Sequence, residues 1–72
     1  MTEQISTIRV LLSRSGFDTN KFLIEQRKYN SVLIEGFEVK NVIQIRRVLK
    51  CLENSGYVSH YDWQLCRFVC SW

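Results

Sequence analysis

Apolar residues recur at helical spacing in one stretch near the middle of the chain, residues 41–57. The stripe consists of Val42, Ile45, Val48, Leu49 and Leu52. A stripe of this period is typical of an amphipathic helix. Asn41 is a favourable N-cap, and Gln44 three residues later completes an Asn form of the capping box. Gly56 follows the last periodic residue as a C-terminal stop, and Tyr57 is placed to contact Leu52.

A second helix is predicted over residues 2–15. Its apolar face consists of Ile5, Ile8, Leu11 and Leu12. Gly16 stops this helix, and Phe17 is placed to reach back to Leu12, a contact that is expected only after a helix. A strand over residues 5–13 is the alternative, because apolar residues also alternate there.

Short apolar runs rich in strand formers follow at residues 22–24 and 32–34, with a polar patch at 27–31 between them. This pattern predicts a hairpin of residues 21–27 against 31–38. A helix over residues 19–29 is the alternative, with Asp18 as its cap.

The C-terminal segments 57–61 and 65–71 alternate as strands, and residues 62–64 are predicted to form the turn between them. A turn centred on Trp63 would place His60 opposite Cys66. An unpaired edge strand at 65–71 could pair with its copy in a second chain, so a homodimer is also expected.

The two predicted helices end alike at an offset of 40 residues, with Leu12, Gly16 and Phe17 echoed by Leu52, Gly56 and Tyr57. Each half would then be a helix, a glycine stop and two strands. We therefore predict one small domain over residues 1–72, of the α+β class. Its order is helix–hairpin–helix–hairpin (α-β-β-α-β-β), with both helices on one face of a mainly antiparallel sheet. A β-α-β-α-β-β order follows if the alternatives at 5–13 and 18–29 hold.

Charge is unevenly distributed along the chain. The net charge is +3. Residues 1–38 balance to zero, whereas residues 39–72 hold five basic residues against two acidic ones. Arg46, Arg47 and Lys50 project from one side of the central helix at i,i+3 and i,i+4 spacing. Because the guanidinium fork is planar and always charged, this face suits phosphate groups. The alternative is a helix face that is only solvated, as most charged residues are.

The segment from Ile45 to Trp72 resembles the C-terminal half of a winged-helix domain, in which a recognition helix ends in a pattern like LKCLENSGYV and leads into a two-stranded wing. The resemblance implies that Arg46, Arg47 and Lys50 meet DNA and that Arg67 lies on the wing. A winged helix has a second short helix just before the recognition helix, where this chain carries the strand-like VLIEGFEV. The winged helix is therefore the alternative fold.

Aromatic residues fall in both predicted turns, at Tyr29 and Trp63. Aromatic side chains in loops can anchor a protein partner or stack on bases. We expect most of the nine aromatic residues to pack in the core and Trp63 to stay exposed.

Catalytic and metal-binding patterns are weak in this sequence. It has one histidine, three glycines and three cysteines without a CxxC motif. These counts give no support to a catalytic pair or a zinc site. They also give none to a phosphate-binding loop or a bound cofactor. An odd number of cysteines without framework spacing suggests reduced thiols and a cytoplasmic location. The apolar runs are too short for a membrane span.

These patterns favour a small non-catalytic regulatory protein. It would act on nucleic acid, or on a nucleic-acid-handling complex, through Arg46, Arg47 and Lys50, with Arg67 and Trp63 as further contacts. The alternative hypothesis is a protein–protein inhibitor or modulator, of the compact type that phages and mobile elements encode.

Overall fold

The residues that the structure describes form two α-helices and four β-strands, in the order helix–strand–strand–helix–strand–strand. A computed structural model describes residues 2–36 and 41–72. The bounds are α1 Thr2–Arg14, β1 Phe22–Lys28, β2 Ser31–Gly36, α2 Val42–Glu53, β3 Val58–Asp62 and β4 Arg67–Ser71. The predicted α+β class, with two helices and an antiparallel sheet, is confirmed. Residues 37 and 38 of the first predicted hairpin lie outside the described residues.

The ends of α2 follow from its caps. The Asn41 side chain accepts a hydrogen bond from the Gln44 backbone N–H at 2.9 Å. At the other end Gly56 takes φ +89°, and the N–H of Tyr57 donates to the Leu52 carbonyl at 3.1 Å. This is the Schellman ending, which needs the left-handed conformation that glycine adopts at little cost.

Helix α1 ends in the same way. Gly16 takes φ +91°, and the Phe17 N–H donates to the Leu12 carbonyl at 3.1 Å. The strand alternative for residues 5–13 is therefore wrong, and the β-α-β-α-β-β order that used it is wrong as well.

The segment after α1 explains why a helix over residues 19–29 does not form. Asp18 is a helix cap as predicted, since its carboxylate accepts from the Asn20 N–H at 3.1 Å, but the helix that it begins is short. One 3₁₀ turn, Thr19–Lys21, then leads into β1, where Phe22 and Ile24 are buried and their neighbours exposed. The winged-helix alternative is wrong, because the described residues before α2 form the β1–β2 hairpin, with strand Ser31–Gly36 where a winged helix has its second helix.

The sheet has the strand order β1-β2-β4-β3, and each neighbouring pair is antiparallel. Strand β4 pairs with β2 through Ile34 opposite Phe68, and with β3 on its other side. The prediction that residues 65–71 form a free edge for a second copy is therefore wrong, because β2 occupies that edge. The edge strands are β1 and β3.

The register of the second hairpin also differs from its prediction. His60 lies opposite Val69, not Cys66, and Tyr61 lies opposite Phe68. The loop is longer than expected because the Asp62 carboxylate accepts from two backbone N–H groups, of residues 64 and 65, at 3.0 and 3.2 Å. Cys66 then closes the loop at φ +53°.

The core lies between the sheet and the two helices. Buried residues of both helices belong to the same cluster as one face of the sheet. The cluster consists of Ile8, Leu12, Phe22, Ile24, Val32, Ile34, Ile45, Val48, Leu52, Tyr57, Phe68 and Cys70. Both helices therefore cover one face of the sheet, and the outward face of α2 is left for other contacts.

Candidate functional site

The outward face of α2 carries the three predicted basic residues. Arg46, Arg47 and Lys50 are all exposed, because Ile45, Val48 and Leu52 turn the opposite side of the helix into the core. The structure therefore brings these three cations together on one surface, which we call the basic face.

Arg47 has a second role on this face. Its Nη2 donates a hydrogen bond to the Ser15 carbonyl at 2.9 Å, and its guanidinium carbon lies 4.9 Å from the centroid of the Phe17 ring. The last carbonyls of a helix carry partial negative charge, so a guanidinium is favourable there. Arg47 therefore joins α2 to the end of α1, and its guanidinium is fixed in place.

A pair of sulfur contacts supports the same junction between the helices. The Ser15 hydroxyl donates to the Cys51 thiol at 3.0 Å, and that thiol donates to the Leu11 carbonyl at 3.3 Å. Ser15 and Phe17 were not among the predicted site residues. The signal that could have found them is the Gly16–Phe17 helix ending, because its exposed carbonyls and aromatic ring suit a cation.

Arg67 lies on a different surface from the basic face. Phe68 points into the core beneath the helices, so Arg67, the next residue along β4, points to the opposite face of the sheet. The Arg67 Nε is buried and has no hydrogen-bond partner among the described residues. The structure therefore does not bring Arg67 together with Arg46, Arg47 and Lys50.

Trp63 lies in the loop between β3 and β4 and is 65% exposed, as the sequence predicts. Its ring packs edge-on against Tyr61, with the centroids 4.9 Å apart. Burial, followed by the neighbouring Cys66 and Asp62, raises the pKa of Tyr61, so this phenol stays neutral at physiological pH. The neighbouring Leu65 is 56% exposed. Trp63 and Leu65 form a second candidate surface, the apolar loop.

Comparison with protein-family models, with curated proteins and with solved structures finds no match to this chain. The chemistry of the two surfaces is therefore the guide to function.

The described residues hold few groups that could support other chemistry. Within residues 2–36 and 41–72, no three His, Cys, Asp or Glu side chains are placed to hold a metal ion. None of the helices in that part of the chain is long and apolar enough to cross a membrane. Cys51, Cys66 and Cys70 are free thiols.

Proposed function

We propose that this protein is a small non-catalytic regulatory protein that binds nucleic acid, or a nucleic-acid-handling complex, through the basic face. The observation that carries the proposal is the exposure of Arg46 and Lys50 beside the fixed guanidinium of Arg47. Residues 1–38 carry no net charge, so the field that attracts a polyanion comes from the remainder of the chain. The same proposal places the protein in the cytoplasm, where free thiols stay reduced.

The basic face suits the phosphate backbone more than the bases. Arg46 and Lys50 are one helical turn apart and can contact successive phosphates, while Arg47 is already oriented by α1. About three phosphate contacts give a salt slope of roughly −2 to −3 and a dissociation constant on the order of 10⁻⁴ to 10⁻⁶ M. We therefore expect binding that depends weakly on sequence and strongly on salt.

Fluorescence anisotropy with labelled duplex DNA, single-stranded DNA and RNA, between about 50 and 200 mM salt, tests this proposal. We expect the variant Arg46→Glu with Lys50→Glu to bind at least about tenfold more weakly, with a salt slope reduced by roughly two. The matched control is Arg27→Glu with Lys28→Glu, which changes the net charge equally at exposed positions of β1. Equal losses in the two variants, or no loss in the first, would contradict binding through the basic face.

A protein–protein inhibitor or modulator is the second candidate function, and the apolar loop favours it. Trp63 is exposed although its ring contacts Tyr61 and the loop donates two backbone hydrogen bonds to Asp62. Exposed tryptophans on rigid loops are frequent hot spots of protein interfaces.

Affinity capture from lysate treated with nuclease separates the two candidates. If the apolar loop binds a protein, Trp63→Ala removes a nuclease-resistant partner while Tyr29→Ala does not. Tyr29 is the matched control because it lies in the other hairpin turn and is 86% exposed. Capture that disappears entirely after nuclease treatment would contradict this candidate.

A further inference from the structure

The outward side of α1 carries an open groove of about 330 Å³. The described residues that line it all belong to α1, and they are Glu3, Ser6, Thr7, Val10, Leu11 and Arg14. Val10 is 48% exposed in the middle of this groove, with an acidic residue at one end and a basic residue at the other. Neither the basic face nor the apolar loop uses these residues.

The groove is complementary to itself when a second α1 is laid across it in the opposite direction. A two-fold axis between residues 8 and 9 places Glu3 opposite Arg14 of the second copy. The same axis places Ser6 opposite Leu11 and Thr7 opposite Val10, so a side chain with a hydroxyl faces an apolar one at both positions. Every position that lines the groove then has a partner, as a symmetric interface between identical chains requires.

The local contacts of these residues agree with such a pairing. The Thr7 hydroxyl donates to the Glu3 carbonyl at 2.9 Å, so covering Thr7 leaves no unsatisfied hydroxyl. The side chains of Glu3 and Arg14 form no ion pair or hydrogen bond within the described residues. Arg14 lies eleven positions after Glu3, about 16 Å along the helix axis, so two ion pairs would flank the apolar centre.

We propose that α1 is the interface of a homodimer, in which the α1 helices of two copies pack antiparallel along this groove. Charge complementarity selects a second copy as the occupant, because its own Glu3 and Arg14 are spaced to match. One helix pair buries less than the roughly 1,200–2,000 Å² of a standard stable interface, so the dimer is weak and forms at high concentration. This proposal does not rest on nucleic-acid binding.

Sedimentation equilibrium up to about 1 mM protein, at low and high salt, tests the proposal. We expect a dimer whose association constant falls with salt. Glu3→Arg or Arg14→Glu alone should lower this constant by about tenfold or more, because each substitution puts like charges opposite one another at both ends of the helix pair. The variant that carries both Glu3→Arg and Arg14→Glu should recover the wild-type association constant to within about threefold, since its ion pairs are reversed but complete. The matched control is Glu53→Arg on α2, which should leave the constant unchanged.

Mixing the two single variants provides a second measurement. A heterodimer of the Glu3→Arg and Arg14→Glu proteins has opposite charges at both ends, so the mixture should associate where each protein alone does not. Recovery cannot come from a more stable helix, because both substitutions oppose the helix dipole. A monomer at every concentration, a dimer insensitive to the single substitutions, or failure of both the double variant and the mixture would overturn the proposal.

Discussion

Arg47 should contribute to stability, whereas its neighbour Arg46 should not. Arg47→Ala removes the hydrogen bond to the Ser15 carbonyl and the contact with the Phe17 ring. A hydrogen bond from a charged donor is worth roughly 1.5–3 kcal/mol, but solvent exposure reduces this to about 1 kcal/mol here. An exposed cation–π contact adds about 0.5–1 kcal/mol. We therefore expect Arg47→Ala to lower the free energy of unfolding by about 1–2 kcal/mol.

Urea unfolding followed by circular dichroism measures this difference. The midpoint should fall while the slope m stays constant, and Tm should drop by roughly 4–16 °C for a domain of this size. Arg46→Ala is the control and should change stability by less than about 0.5 kcal/mol, because its side chain faces water. Arg47→Lys should fall between wild type and alanine, since it keeps the charge and loses the planar fork. Equal stability of the Arg47→Ala and Arg46→Ala proteins would refute the structural role of Arg47.

The ending of α2 and the buried thiol of β4 lead to the other predictions. Gly56→Ala should destabilise the protein by about 1 kcal/mol. The cost comes from the positive φ alone, because a new Cβ meets open space there, and Gly56→Asn should cost less. Equal urea midpoints for the alanine variant and wild type would contradict this prediction. Burial raises the pKa of Cys70 from 9.0 to about 11, so the folded state favours the neutral thiol. The contribution of this thiol to the free energy of unfolding is therefore full below pH 9 and is lost as the pH rises towards 11. Wild type should therefore lose about 2 kcal/mol between pH 8 and 10.5, while Cys70→Val should lose distinctly less; identical pH profiles of the two proteins would exclude the thiol as the cause.

The elements predicted best from the sequence are those determined by neighbours in the chain. Asn41 caps α2 through the N–H of Gln44, and Gly16 and Gly56 end the two helices in the left-handed conformation. These interactions span three to five residues, so their residue types are visible as local patterns. The α+β class follows from adding alternating strands to the two capped helices.

The features that sequence reasoning missed depend on contacts between distant segments. No residue near 65–71 indicates that β2 will pair with β4. The register of the last hairpin depends on the Asp62 carboxylate, whose hydrogen bonds lengthen the loop. Arg47 was predicted only as a binding residue because its partner, Ser15, is 32 residues away. The winged-helix resemblance failed for the same reason, since it rests on one helix and hairpin and carries no information about the strands that precede them.

The two helix endings also explain why one cation of the basic face, Arg47, lies at the junction of the two helices. Each ending presents an aromatic residue, Phe17 or Tyr57, and a polar side chain of the other helix contacts it. Arg47 of α2 lies over Phe17, while Gln4 of α1 accepts a hydrogen bond of 2.7 Å from the Tyr57 hydroxyl. The two contacts are alike in position but not in charge, because a guanidinium serves one and an amide the other. The contact made by α2 thus adds a positive charge beside Arg46 and Lys50, whereas the contact made by α1 adds none.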